Sequence, residues 1–158
     1  MTGSLTGHDR ADKTAVGGTV ALRGFPKGLA GGADLKQKKS VEDYLKTIYI
    51  LSRKKDVHGA DIAKEIGVSR PTVCVSLKAL AEEGYILMND AHEVHLTEKG
   101  MQIAKETYER HNTFCRLLTG LGVDEKTAAS DACEMEHAVS AESYQALKTL
   151  ITDGNGGI

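Results

Sequence analysis

Hydrophobic positions recur along most of this chain with a helical period, and the places where the period fails mark out its parts. Residues 1–39 are rich in Gly, Thr, Ala and Lys and hold no sustained apolar repeat, which reads as a flexible tail. From Ser40 the pattern is regular. Val41, Tyr44, Leu45, Ile48 and Leu51 share one helical face, and "SVED" fits a capping box with Ser40 as N-cap and Asp43 at N3. Two shorter helices follow, over 60–66 and 69–83, separated by Gly67 and Val68. "YILMNDAHEVHLT" then reads as two short extended runs around "NDAH", a hairpin. Thr97 caps a long helix reaching about residue 121, with Ala104, Tyr108, His111, Cys115 and Leu118 as its inner stripe. "GLGVD" breaks it, Asp124 caps the next helix, and a final helix over 141–151 precedes a Gly-rich end, residues 153–158, expected to be disordered. The fold class is mainly α: a winged helix-turn-helix over 40–100, then an all-helical unit over 101–152.

The helix-turn-helix reading rests on "GADIAKEIGVSRPTVCVSLKAL". Two helices crossing at close range need a small residue at the crossing, a turn residue tolerant of positive φ, and an aliphatic residue facing back. Ala63, Gly67 and Val73 stand at those places, with Ile62, Ile66, Val68, Leu77 and Leu80 completing a small core. Ser69 can cap the second helix, and Pro71 falls in its first turn, where the missing N–H costs little. The helix start then offers Ser69, Arg70, Pro71, Thr72 and, one turn on, Ser76 to a DNA major groove, with Lys78 nearer the backbone. Arg70 suits a guanine edge; the hydroxyls suit phosphates or thymine methyls. His92 lies at the hairpin tip, which makes the unit winged.

"DACEMEHAVS" raises a different chemistry. On a helix, Cys133, Glu136 and His137 project from one face at i, i+3 and i+4, and Glu136 interrupts an apolar stripe of Ala129, Ala132 and Val139. An ionised carboxylate buried without a partner costs several kcal/mol. A divalent cation would resolve this, since thiolate, carboxylate and imidazole are all metal ligands. His111, on the neighbouring inner stripe, could add a nitrogen. Each residue also has a plainer reading: His111 as a core histidine, Cys133 as a small hydrophobe, Glu136 and His137 as a solvated edge.

Composition narrows the classes. The formal charge is −2, but the last 59 residues carry five basic against nine acidic groups, while 36–99 carry eleven against ten. No block is basic enough for charge alone to argue for nucleic acid, so DNA binding requires a local patch. Three scattered cysteines, no signal peptide and no stretch near the roughly 20 apolar residues of a membrane helix predict a cytoplasmic protein with reduced thiols and no membrane partner.

From about Ser40 to Ile151 the chain resembles the diphtheria-toxin-repressor family of metal-dependent transcriptional regulators. "SVEDYLKTIYIL", the helix-turn-helix, "LTEKG", "RH" at 110–111 and "CEMEHAVS" carry the resemblance. The resemblance implies metal ligands at Asp43, His111, Cys133, Glu136 and His137. It also implies a helical metal-binding and dimerisation domain, and a homodimer on a palindromic DNA operator. Asp43 matches the manganese-responsive branch and Cys133 the iron-responsive one. Lys46 stands where the manganese branch has an acidic ligand. Cys115 and Ala129 stand where the iron branch has the glutamate and histidine of its ancillary site. The expected cofactor is one principal divalent ion per subunit, Fe²⁺ or Mn²⁺, with Zn²⁺ or Co²⁺ able to substitute in vitro. The expected function is a metal-activated repressor of metal-homeostasis genes, not an enzyme. The alternative is a winged-helix regulator answering a small molecule or thiol redox state, which a metal titration separates.

Overall fold

The first helix is longer than its apolar repeat predicts. The computed structural model describes the backbone of residues 32–153 and the side chains of residues 38–151, and helix α1 spans Gly32–Ser52. Ser40 therefore lies inside α1, not at its N-cap, and the capping-box role of Asp43 is overturned. The local motif was present, but the helix continues upstream through it. Most of the predicted tail, and residues 154–158, lie outside the described residues.

One face of α1 buries Val41, Tyr44, Leu45 and Ile48 in a core shared with α2 (Gly59–Ile66), α3 (Arg70–Glu82), and strands β1 (Ile86–Met88) and β2 (Val94–Leu96). The turn between α2 and α3 is built as the sequence predicts. Gly67 takes φ 78°, and its amide donates to the Ala63 carbonyl at 2.9 Å. Ser69 caps α3, its hydroxyl accepting from the Thr72 amide at 3.3 Å. Ser69→Ala is expected to cost about 1 kcal/mol of stability, read by urea denaturation; no loss would show that the cap is satisfied by other means.

The wing is an antiparallel pair with Ile86 opposite Leu96 and Met88 opposite Val94. Its outer edge is covered by the segment before α2: the Val94 amide donates to the Val57 carbonyl at 2.8 Å, and His58 bridges Glu93. At the tip, the Asn89 side-chain oxygen accepts from the amides of Ala91 (3.1 Å) and Glu93 (2.9 Å), and His92 takes φ 59°.

Three helices follow: α4 (Glu98–Gly120), α5 (Glu125–Ala138) and α6 (Ala141–Asp153). Thr97 and Asp124 cap α4 and α5 as expected. Helix α4 joins the two halves, with Ala104 in the first core and Phe114 in a second one with Ala132 and Tyr144. Its deepest line is Ala104, Thr107 and Phe114, so the predicted stripe through Tyr108, His111 and Cys115 is only half-buried. On α5 the buried line is Ala128, Ala132 and Glu136; Ala129 is exposed. Among the described residues no helix is long and apolar enough to cross a membrane.

Candidate metal centre and DNA-reading surface

The face of α1 opposite its apolar core carries Lys39, Glu42, Asp43 and Lys46 on successive turns, and this face meets α5 through long side chains. Lys39 pairs with Glu134 at 2.7 Å, His137 lies between Glu42 and Asp43, and Lys46 pairs with Glu136. The polar seam ties the DNA-reading unit to the helical half.

Glu136 is its centre. The residue is 2% exposed, and both of its oxygens are engaged. Oε1 accepts from the Lys46 ammonium and lies 3.1 Å from His137 Nε2, while Oε2 lies 2.9 Å from His111 Nδ1. His137 Nε2 is also 2.9 Å from Asp43 Oδ1, and its Nδ1 is 2.7 Å from Glu42 Oε2. On the other side, Cys133 Sγ lies 3.7 Å from His111 Nδ1, and Cys115 Sγ lies 3.4 Å from His111 Nε2. The five residues named from the sequence therefore gather around one carboxylate, in two corners. Asp43, Glu136 and His137 form the tighter set, with donor atoms all within 4.8 Å of one another. His111 and Cys133 meet at the second oxygen. A cavity of about 500 Å³ opens onto the centre, lined by Asp43, Lys46, Thr47, His111, Cys133 and Glu134 among others.

The electrostatics follow from this crowding. Burial alone would raise the pKa of Glu136, but hydrogen bonds from His111 and His137 and the charge of Lys46 bring it down to about 2. Burial works against a charged His137, yet Asp43, Glu136 and Glu42 outweigh it and push its pKa up to about 11. Hydrogen bonding toward Cys133 and then Glu136 lifts His111 to about 9, against the effect of burial. Burial likewise opposes the Lys46 charge, and Glu136, Cys133 and Asp43 together hold its pKa above the ordinary lysine value. At neutral pH the carboxylates are thus neutralised by two imidazolium rings and one ammonium. Protons stand where a metal ion would, and ion binding must release them.

The donor spacing fits such an ion. An octahedral cation with bonds of about 2.1 Å places neighbouring ligand atoms about 3 Å apart. His137 Nε2 stands at 2.9 Å from Asp43 Oδ1 and 3.1 Å from Glu136 Oε1. Sequence reasoning missed Glu42. Its neighbour Asp43 was singled out by the resemblance, but adjacent helical positions diverge by about 100°, and only the wedged His137 ring brings both to one group.

At the other end of the DNA-reading unit, Ser69, Arg70, Pro71 and Lys78 are exposed at or along α3, Thr72 is half-buried, and His92 is exposed at the wing tip. Ser76 does not belong with them. It is 2% exposed, and its hydroxyl faces that of Tyr44 in the core. Its place in Val73, Ser76, Leu77 and Leu80, the buried line of α3, was legible as helical spacing. Cys74 and Val75 are exposed instead.

Comparison with known proteins matches both halves. The family model described as the N-terminal DNA binding domain of iron dependent repressors matches residues 36–92, and that of their metal binding and dimerisation domain matches residues 97–153. The transcriptional regulator MntR of Escherichia coli O157:H7 is 38% identical over 121 residues, 76% of this chain and 77% of that protein. An HTH-type transcriptional regulator of Methanocaldococcus jannaschii is 35% identical over 116 residues, 72% of this chain and 93% of that protein. Among solved structures, the manganese regulator SloR superposes with a TM-score of 0.63 at 31% identity, over 71% of this chain and 53% of that one. The chain thus spans about half the length of that structure. With a winged helix-turn-helix in front, a helical half behind and a carboxylate–imidazole–thiol cluster between them, the chain belongs to the diphtheria-toxin-repressor family of metal-dependent transcriptional regulators.

Proposed function

We propose that this chain is a cytoplasmic repressor gated by one divalent transition-metal ion, Fe²⁺ or Mn²⁺, held by Asp43, His111, Cys133, Glu136 and His137. The observation that carries the reading is the convergence of α1, α4 and α5 on Glu136, whose two oxygens face donors from both sides. Asp43 belongs to the DNA-reading unit, His111 to α4, and Cys133, Glu136 and His137 to α5. An ion shared among them fixes the posture of the reading unit on the helical half. The thiolate favours Fe²⁺, Zn²⁺ or Co²⁺, and the Asp43 carboxylate favours Mn²⁺ or Fe²⁺. Fe²⁺ suits both. Several relatives carry manganese in their names, which keeps Mn²⁺ beside it.

Two copies, paired through the helical half, would place two α3 helices on the half-sites of a palindromic operator. Arg70 would contact a base edge, Ser69, Thr72 and Lys78 the backbone, Pro71 the groove floor, and His92 the flanking groove from the wing. The test is operator affinity by fluorescence anisotropy, using chelator-treated protein with and without Mn²⁺ or Fe²⁺. A coupling of about 1–3 kcal/mol tightens operator binding roughly 5- to 150-fold, and operator DNA must tighten metal binding by the same factor. Equal affinities in all three conditions overturn metal gating.

A further inference from the structure

The His137 ring is gripped by two consecutive residues of α1. Glu42 Oε2 stands 2.7 Å from its Nδ1, and Asp43 Oδ1 stands 2.9 Å from its Nε2. The imidazole is 7% exposed and the Glu42 side chain 19%, so water competes little for the bond between them. Nε2 also lies 3.1 Å from Glu136 Oε1, and Asp43, Glu136 and His137 make up the compact donor set of the centre. Glu42 meets the same ring at its other nitrogen, and the five proposed ligands do not include it. A neutral imidazole has one nitrogen lone pair free to hold an ion. Which nitrogen offers it is set by the bond that the other one makes.

We propose that Glu42 is a positioning residue of the metal centre: it accepts a hydrogen bond from His137 Nδ1–H, and so directs the Nε2 lone pair between Asp43 and Glu136. Glu42 does not hold the ion itself. The two ring nitrogens point in widely divergent directions, and a carboxylate seated on Nδ1 is turned away from an ion at Nε2. Its negative charge makes the ring a stronger ligand than a neutral acceptor would. The other oxygen, Oε1, lies 3.8 Å from the Lys38 ammonium one turn back on α1. Because Glu42 belongs to α1 and His137 to α5, the half of the chain that reads DNA sets the orientation of a ligand on the other half. This inference rests on the reading of the centre as a metal site and adds what aims one of its ligands.

The experiment uses chelator-treated full-length protein, as wild type, Glu42→Gln and Glu42→Ala. Mn²⁺ affinity is read by isothermal calorimetry. The tautomer of His137 is read by nitrogen NMR of isotope-labelled histidine in protein loaded with diamagnetic Zn²⁺, with His137→Gln assigning the signal. Wild type is expected to carry Zn²⁺ on Nε2 and a slowly exchanging proton on Nδ1. Glu42→Ala is expected to bind Mn²⁺ about 10- to 100-fold more weakly and to lose the protection of that proton. Glu42→Gln keeps an acceptor without the charge, and is expected to retain the proton and to fall between the two in affinity. Should Glu42→Ala fail to fold, the wild-type spectrum and Glu42→Gln decide. Three results overturn the role of Glu42 and leave the metal site standing. One is Zn²⁺ on Nδ1 of wild type. Another is a folded Glu42→Ala that keeps the protected proton or binds Mn²⁺ as tightly as wild type. The third is a Glu42→Gln that loses Mn²⁺ binding altogether, which would make Glu42 a ligand. Failure of wild type to bind either ion overturns the metal reading itself and this inference with it.

Discussion

Glu136→Gln is expected to cost the metal-free protein about 3–5 kcal/mol, the range for breaking a buried ion pair by removing one partner. The Glu136 side chain has no solvent exposure, and Lys46, His111 and His137 all turn toward it. An amide there can accept hydrogen bonds but carries no charge, so Lys46 would be left buried opposite a neutral group. The same substitution removes the carboxylate shared by both donor corners and should abolish tight divalent-ion binding. Urea denaturation with and without Mn²⁺ reads both effects. Wild type gains stability from the ion by mass action, and the variant should gain none.

A double variant separates the charge from the space it fills. Lys46→Met with Glu136→Leu replaces the pair by apolar side chains of similar volume, and such replacements are often neutral or stabilising. It should recover much of the stability lost by Glu136→Gln while remaining unable to bind metal tightly. If Glu136→Gln alone stays within about 1 kcal/mol of wild type, Glu136 is not the charge anchor of the two halves.

The second large effect is expected from Gly100→Ala. Gly100 lies in the first turn of α4, where a Cβ would meet the Tyr85 carbonyl oxygen at 2.0 Å and its carbon at 3.0 Å. Both atoms belong to the backbone, so no side-chain rotation relieves the overlap. That carbonyl is already held: it accepts from the Thr97 amide at 3.0 Å and from the Thr97 hydroxyl at 3.1 Å. The start of the wing and the start of α4 are therefore locked at a distance only glycine permits. Alanine is ordinarily the better helix former by about 1 kcal/mol. Here overpacking against a fixed backbone should reverse the sign and cost about 1–3 kcal/mol or more. Thermal unfolding checks the loss. Operator affinity checks its route, because a displaced wing should weaken DNA binding even at temperatures where the variant is fully folded. A stability equal to wild type would mean that the wing moves freely relative to α4.

Some of this was readable along the chain. The helix-turn-helix core, the left-handed Gly67 and the caps at Ser69, Thr97 and Asp124 depend on residues within one or two turns of each other, so spacing alone specifies them. Ser76 is polar, yet its spacing sets it in the buried line of α3 with Val73, Leu77 and Leu80, away from the exposed start of the helix. The Ser40 error came from reading a short capping motif where the helix had already begun. Gly100 was visible as part of "LTEKG", but nothing in that string reveals the Tyr85 carbonyl behind it.

The sequence by itself determined the elements, their order and the fact that α5 turns a carboxylate inward with an imidazole and a thiol beside it, because periodicity and capping are local properties of the backbone. The tertiary structure alone decided what that carboxylate meets. Lys46 and Glu136 are 90 positions apart, and Asp43 and His137 are 94. Their encounter depends on how α4 spans the two cores and delivers α5 to the polar face of α1. No local pattern encodes an angle between helices; it is set by the packing of many side chains at once, and the charges of the centre acquire their partners, and their pKa values, only after that packing is complete.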